Sequence, residues 1–240
     1  TLLSLPLQGL RIVITRPQHQ ATALSEQLRA LGAEPLLLPT IEIVACNTTK
    51  PLADSYHWVI FISANAVNFG LKQLPTLTNY PLAAIGLKTA EHLKQHCPTP
   101  LTPNAPYNSE AFLKLPELQA LAGKTIAIVK GEGGRGLLQK TLRERGAHVI
   151  EYDVYQRQLP TAPNQAIIEQ IQNRQVNHIL VTSEQSLNHL IALVGLNTVQ
   201  QTSVILGSKR QLECADRLGL KITQHVSHPS DQAYIDQLLS

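Results

Sequence analysis

The sequence is poor in cysteine. Its 240 residues hold three, Cys46, Cys97 and Cys214, odd in number, far apart and without a CxxC pair. That argues against a disulfide framework and fits a reducing compartment, the cytoplasm. Net charge is small: 20 Lys and Arg against 17 Asp and Glu leave +3. No strong attraction to nucleic acid or to a membrane surface follows. No apolar run reaches the ~18 residues of a spanning helix. The opening Thr1-Leu-Leu-Ser-Leu-Pro6 lacks the basic region and cleavage site of a signal peptide. Nine histidines include the pair His92 and His96, but no HExxH and no third ligand at useful spacing, so no metal site is expected. Nucleophile elbow, Walker loop and catalytic dyad spacings are also missing.

What the chain does have is apolar material, 43% of its residues, and a repeated plan. Trp58-Val-Ile-Phe-Ile62 reads as a buried strand, Ser63 as an N-cap, and Ala64 to Leu71 as a helix. His178 to Thr182, Ser183 and the helix after it follow the same plan at an offset of 120. A second pair of segments matches at an offset of 114, from Gly9/Gly123 through Arg16/Lys130 and Leu28/Leu142 to Gly32/Gly146. Such internal similarity marks a duplication into two halves, each of roughly 100 residues. Strands alternate with helices in both, which predicts parallel sheets wound on both faces. Ligands of such sheets sit at the carboxyl ends of the strands, where Arg16, Ser63, Gly86, Lys130, Ser183 and Gly207 fall. A cleft between the halves is the expected place of function.

The expected strands are 10–15, 36–38, 81–85, 124–130, 178–182, 203–206 and 221–225, besides the Trp58 strand. The expected helices, besides Ala64 to Leu71, are 18–31, one from Gly86 to near Lys94, pieces within 109–121, and then 135–145, 165–173, 184–193, 209–218 and 230–239. Residues 37–44 and 149–155 read as extended runs, and 158–164 as a linker with Pro160 and Pro163.

Several turns bear on chemistry. Arg16 ends the first strand before Pro17, so its guanidinium is either a clamp for a carboxylate or phosphate or a solvated loop group. Lys130-Gly-Glu-Gly-Gly-Arg-Gly136 contains GxGxxG between a strand and a helix, with Glu151 and Asp153 about twenty residues further on. It reads as a dinucleotide site, as a flexible anion-binding loop, or as a plain turn. Gly86-Leu-Lys-Thr-Ala90 and Gly207-Ser-Lys-Arg-Gln211 recur after strands and offer hydroxyls and cations to a polyanion. Tyr155, in Val154-Tyr-Gln-Arg157, reads from spacing alone as a packing residue at a domain junction or as a proton donor.

In their order and spacing these segments resemble the uroporphyrinogen-III synthase family. The resemblance rests on Val13-Ile-Thr-Arg-Pro17, Phe61-Ile-Ser-Ala-Asn-Ala-Val67, Ala84-Ile-Gly-Leu-Lys-Thr-Ala90, the Gly-rich turn with Arg135, Val154 to Arg157, and Val181-Thr-Ser183. It implies two doubly wound parallel-sheet α/β domains joined by a two-stranded β ladder, the first domain discontinuous. Domain 1 would be 1–36 with 158–240, the ladder 37–44 with 151–157, and domain 2 45–150.

The implied activity is that of a hydro-lyase. It closes linear hydroxymethylbilane to uroporphyrinogen III, losing water and inverting ring D through a spiro intermediate, with no cofactor or metal. Tyr155 is the implied catalytic residue. The implied substrate-binding residues are Arg16, Ser63, Asn65, Lys88, Thr89, Lys130, Gly133, Gly134, Arg135, Ser183, Ser208 and Arg210. Two departures from the family pattern stand out: Ile62 replaces the usual Thr beside Ser63, and Arg210-Gln211 replaces a common Thr-Ala pair. A cytoplasmic monomer whose domains close over the small-molecule substrate is expected, without nucleic-acid or membrane partners. The alternatives are an NAD(P)-dependent oxidoreductase using the GxGxxG turn and a non-catalytic tetrapyrrole-binding module.

Overall fold

A computed structural model of the chain describes residues 3–222 and 224–240; Thr1 and Leu2, the start of the opening segment read above, lie outside it. The elements run β1 (Arg11–Ile14), α1 (Gln18–Ala30), β2 (Glu34–Leu37), β3 (Glu42–Ala45), β4 (Trp58–Phe61), α2 (Ala64–Gln73), β5 (Leu82–Ala84), α3 (Leu87–Leu93) and α4 (Ser109–Leu113). They continue with β6 (Thr125–Gly131), α5 (Leu137–Glu144), β7 (His148–Gln158), α6 (Gln165–Gln172), β8 (His178–Leu180) and α7 (Glu184–Val194). Last come α8 (Leu196–Gln200), β9 (Ser203–Ile205), α9 (Arg210–Arg217) and α10 (Asp231–Leu239). Two compact units emerge, one of Thr1–Glu42 with Gln158–Ser240, the other of Ile43–Arg157. Among the described residues no helix is long and apolar enough to cross a membrane.

The two-segment unit is built on the parallel sheet β2-β1-β8-β9. Successive residues of β1 point to opposite faces, and both faces are covered. Ile12 and Ile14 pack with Leu24 and Leu28 of α1 and Tyr234 of α10. Val13 packs on the other side with Ile171 of α6, Leu187 and Leu190 of α7 and Ala215 of α9. That double burial is why the strand reads as a continuous apolar run.

The continuous unit carries the sheet β3-β7-β6-β4-β5, in which β7, β6, β4 and β5 run parallel. Phe61 and Val129 face Val67 of α2 and Leu93 of α3. Ile60 and Ile128 face Phe112 of α4 and Leu138 and Leu142 of α5. Helix α2 lies close on the sheet because Gly70 has no side chain; a Cβ there would come within 2.6 Å of Val129 Cγ1.

Some boundaries differ from the expectation. The run expected over 37–44 is strand only at its ends, because β2 stops at Leu37 and β3 starts at Glu42. Between them Thr40 is fully buried; its Oγ1 lies 2.8 Å from Ser186 Oγ and its carbonyl 2.6 Å from His189 Nδ1. Of the strand expected at 221–225, Thr223 lies outside the described residues. The rest reduces to a single bridge, Leu206 with His225. Helix α8 was not expected. It follows Gly195 directly, and Gly195 at φ 93° turns the chain between α7 and α8.

Candidate active site

The carboxyl ends of β4, β5, β6 and β7 surround a cavity of about 490 Å³ in the continuous unit. Tyr155 stands in its wall. The register between β6 and β7 sets its position: Lys130 pairs with Asp153 but Gly131 pairs with Tyr155, so Val154 is an extra residue. Such a bulge re-aims side chains, and Val154 and Tyr155 are consecutively buried where strict alternation would expose one. The Tyr155 hydroxyl is 2.9 Å from Ser63 Oγ. The Phe69 ring centroid is 5.8 Å from that of Tyr155, and Arg157 Cζ lies 5.6 Å from the same centroid.

Ser63 itself caps α2, accepting the Ala66 N–H at 3.0 Å. Asn65 is the second residue of that helix. The Gly-rich turn forms the opposite wall. Gly133, Gly134 and Gly136 have φ of 84°, 110° and 72°, a left-handed backbone that β-carbons disfavour, and open space lies where their β-carbons would be. Their role is conformational. The exposed side chains of Arg135 and Arg157 line the cavity and, among the described residues, make no ion pair within 4 Å.

Lys130 is held differently. Its Nζ lies 2.7 Å from Asp153 Oδ1 and 4.0 Å from Glu151 Oε1, and the residue is buried. Glu151 also accepts from Gln139 at 2.9 Å and Arg143 at 3.0 Å. Burial acts to raise its pKa, but those hydrogen bonds and the Lys130 charge hold the carboxyl below the ordinary range. The acidic residues that a dinucleotide site would turn to a ribose are therefore engaged internally. Gly131, the first glycine of the GxGxxG pattern, abuts the Tyr155 ring. Nearby Cys46 is 3.7 Å from Glu132 Oε1; burial and that carboxylate push its thiol pKa up, so thiolate chemistry is disfavoured.

Of the residues predicted from sequence, Tyr155, Ser63, Lys130, Gly133, Gly134 and Arg135 line this one cavity. Lys88 and Thr89 lie in the first turn of α3, Lys88 exposed and Thr89 buried; Gly86 before them reaches the cavity wall. Arg16, Ser183, Ser208 and Arg210 belong to the two-segment unit. There Arg16 pairs with Asp231 and donates to the Pro229 carbonyl at 2.7 Å. Ser183 caps α7, accepting the Ser186 N–H at 3.1 Å. Its φ/ψ of −152°/165° match the −153°/165° of Ser63. Ser208 is half-buried and Arg210 exposed, while Gln211 bonds the Gly207 N–H and the Thr182 carbonyl, each at 3.0 Å.

Sequence reasoning missed Arg157 as a site residue. Its separation of two from Tyr155 on one strand was the available signal. Tyr107 and Asn108, at the end of a proline-rich loop, and Glu110, in the first turn of α4, also line the cavity and carried no signal.

A parallel α/β sheet here presents at its strand ends a tyrosine, a glycine loop and two cations that, among the described residues, have no acidic partner, a set of donors suited to anions. The chain belongs to the uroporphyrinogen-III synthase family, since the family model described as Uroporphyrinogen-III synthase HemD matches residues 22–236. Family membership takes the place of the oxidoreductase alternative. Among curated proteins, the uroporphyrinogen-III synthase of Salmonella typhimurium is 38% identical over 196 residues, 76% of this chain and 79% of that protein. That of Escherichia coli is 34% identical over 76% of this chain and 79% of its own length. The crystal structure of the Helicobacter pylori uroporphyrinogen-III synthetase shares the fold: TM-score 0.64 at 18% identity, covering 96% of this chain and 98% of that one.

Proposed function

We propose that the chain closes hydroxymethylbilane to uroporphyrinogen III as a lyase, with loss of water and inversion of ring D through a spiro intermediate. The observation that carries the reading at residue level is Tyr155, its hydroxyl 2.9 Å from Ser63 in the wall of a cavity that also holds Arg135 and Arg157.

In this reading Tyr155 donates its proton to the departing hydroxyl. The C–O bond breaks with its electron pair on oxygen, water leaves, and a cation remains on the substrate. Ring D attacks that cation, and closure releases the proton that restores the phenol. The substrate's carboxylates are taken by Arg135, by the Gly133–Gly134 backbone and by the first turn of α2 at Asn65. Ile62, 38% exposed in the same wall, offers an apolar face to a pyrrole ring where a Thr would offer a hydroxyl.

Lys130 supports the turn through Asp153. Lys88, Thr89, Arg16, Ser183, Ser208 and Arg210 stand as further carboxylate ligands on the strength of the family resemblance. The enzyme's main work is to fold the substrate so that the inverted carbon reaches the cation. No cofactor is invoked. The proposed domains are 1–36 with 158–240 and 45–150, joined by a ladder of 37–44 and 151–157, in a cytoplasmic monomer. The division of the chain at Glu42/Ile43 and Arg157/Gln158 supports a first domain made of two segments.

The test is to give the purified protein freshly made hydroxymethylbilane and separate the oxidised porphyrin isomers by chromatography. Predominant type III isomer is expected; type I alone, as in the protein-free control, would refute the activity.

A further inference from the structure

The Ser63 hydroxyl is committed on two sides. Its oxygen accepts the Ala66 N–H at 3.0 Å, and the Tyr155 hydroxyl lies 2.9 Å away. One O–H hydrogen remains on Ser63, and it has a direction to take. If Ser63 donates to the Tyr155 oxygen, the phenol hydrogen is left to point into the cavity. The opposite arrangement would spend that hydrogen on Ser63. Both residues line the cavity, so a group entering it and accepting from Tyr155 selects the first arrangement.

We infer that Ser63 is a positioning residue for Tyr155 and not a ligand for a substrate carboxylate. It holds the phenol hydrogen toward the leaving hydroxyl, and after proton transfer it donates to the phenolate. Helix α2 backs it: the Ala66 N–H withdraws charge from the Ser63 oxygen at the positive end of a ten-residue helix. The rest of the tyrosine is fixed from other sides, by Gly131 against the ring and by Phe69 beside it. Only the hydroxyl retains a choice; an acceptor in the cavity settles it, and the Ser63 hydrogen bond then holds it. The inference rests on the proposed cyclisation.

The discriminating substitution is Ser63→Gly, because Gly at an N-cap costs the helix little while the hydroxyl is lost. With the full chain and hydroxymethylbilane, Ser63→Gly is expected to lower kcat for the type III isomer about tenfold at unchanged KM, with the melting curve hardly moved. Ser63→Thr, which keeps the hydroxyl, should restore the rate. In a Tyr155→Phe background Ser63→Gly should cost nothing further, since the cycle isolates the coupling between the two residues. Should Ser63→Gly not fold, Ser63→Asp replaces it: a carboxylate accepts the Ala66 N–H but has no hydrogen for Tyr155, and kcat at saturation should fall alike. A raised KM at unchanged kcat, or the same loss in both backgrounds, overturns the inference and makes Ser63 a substrate ligand. Type I product from the unaltered protein would remove the cyclisation itself; type III product with an unaffected Ser63→Gly removes this inference alone.

Discussion

Gly131 makes room for the ring of Tyr155: a Cβ on Gly131 would lie 2.5 Å from both Cε2 and Cζ of the tyrosine. The two residues face each other across β6 and β7 just beyond the bulge. Gly131→Ala must push the ring away from Ser63 or spread the strands. We expect a stability loss of about 1–3 kcal/mol, typical of overpacking, and a rate of type III formation lowered on the order of tenfold or more. Thermal melts and the isomer assay would check both. An unaltered rate would separate the phenol from the chemistry.

Gly70 gives a purely structural counterpart. In α2, alanine is favoured over glycine by about 1 kcal/mol, yet its Cβ would meet Val129 Cγ1 at 2.6 Å. Val129 is fully buried and cannot swing aside. Gly70→Ala should therefore destabilise by about 1–2 kcal/mol net, and Val129→Ala in the same chain should recover part of it. Urea unfolding of the single and double variants measures this.

Two cations of the site should separate by phenotype. Lys130 is buried against Asp153, so Lys130→Met leaves a partly exposed carboxylate unpaired and should lower stability by about 1–2 kcal/mol. Arg157 is exposed and, among the described residues, has no acidic partner. Arg157→Gln should leave the melting temperature nearly unchanged and raise KM on the order of tenfold. Steady-state kinetics beside thermal melts would show the contrast. An Arg157→Gln variant that melts early and binds normally would reverse the assignment.

Acid sensitivity follows from His178. Burial in β8 holds its pKa below the ordinary 6.5, and its Nδ1 lies 2.8 Å from Ser203 Oγ. The folded chain thus resists protonation that the unfolded chain accepts. The stabilising contribution is complete above about pH 6.5 and is lost as pH falls through the depressed folded value. Urea midpoints between pH 7.5 and 5.5 should fall, and less steeply in His178→Gln. Equal slopes would place the acid sensitivity elsewhere.

The repeated strand–Ser–helix plan was legible because capping and strand burial are local, and Ser63 and Ser183 adopt nearly the same backbone angles. What was not legible depended on partners distant in sequence. Arg16 reads as a projecting cation until Asp231, 215 residues away, is seen to bind it. Lys130 reads as an anion clamp until Asp153 occupies it. The extra residue at Val154 breaks the period-2 alternation that sequence reading relies on, which left Tyr155 between packing and chemistry. The run 221–225 has a strand's composition, but the bridge described there is limited to His225.

The two-segment unit has a consequence for synthesis. Strand β1 lies between β2 and β8, and β8 begins at His178, beyond the whole Ile43–Arg157 unit. A ribosome therefore delivers β1, α1 and β2 with one side of β1 still lacking its neighbour. The later-starting unit has all its strands first and can fold while the earlier segment waits. The amino-terminal βαβ segment is thus the part of the nascent chain that stays longest with an unpaired central strand edge, the place where a chaperone or a wrong pairing would act.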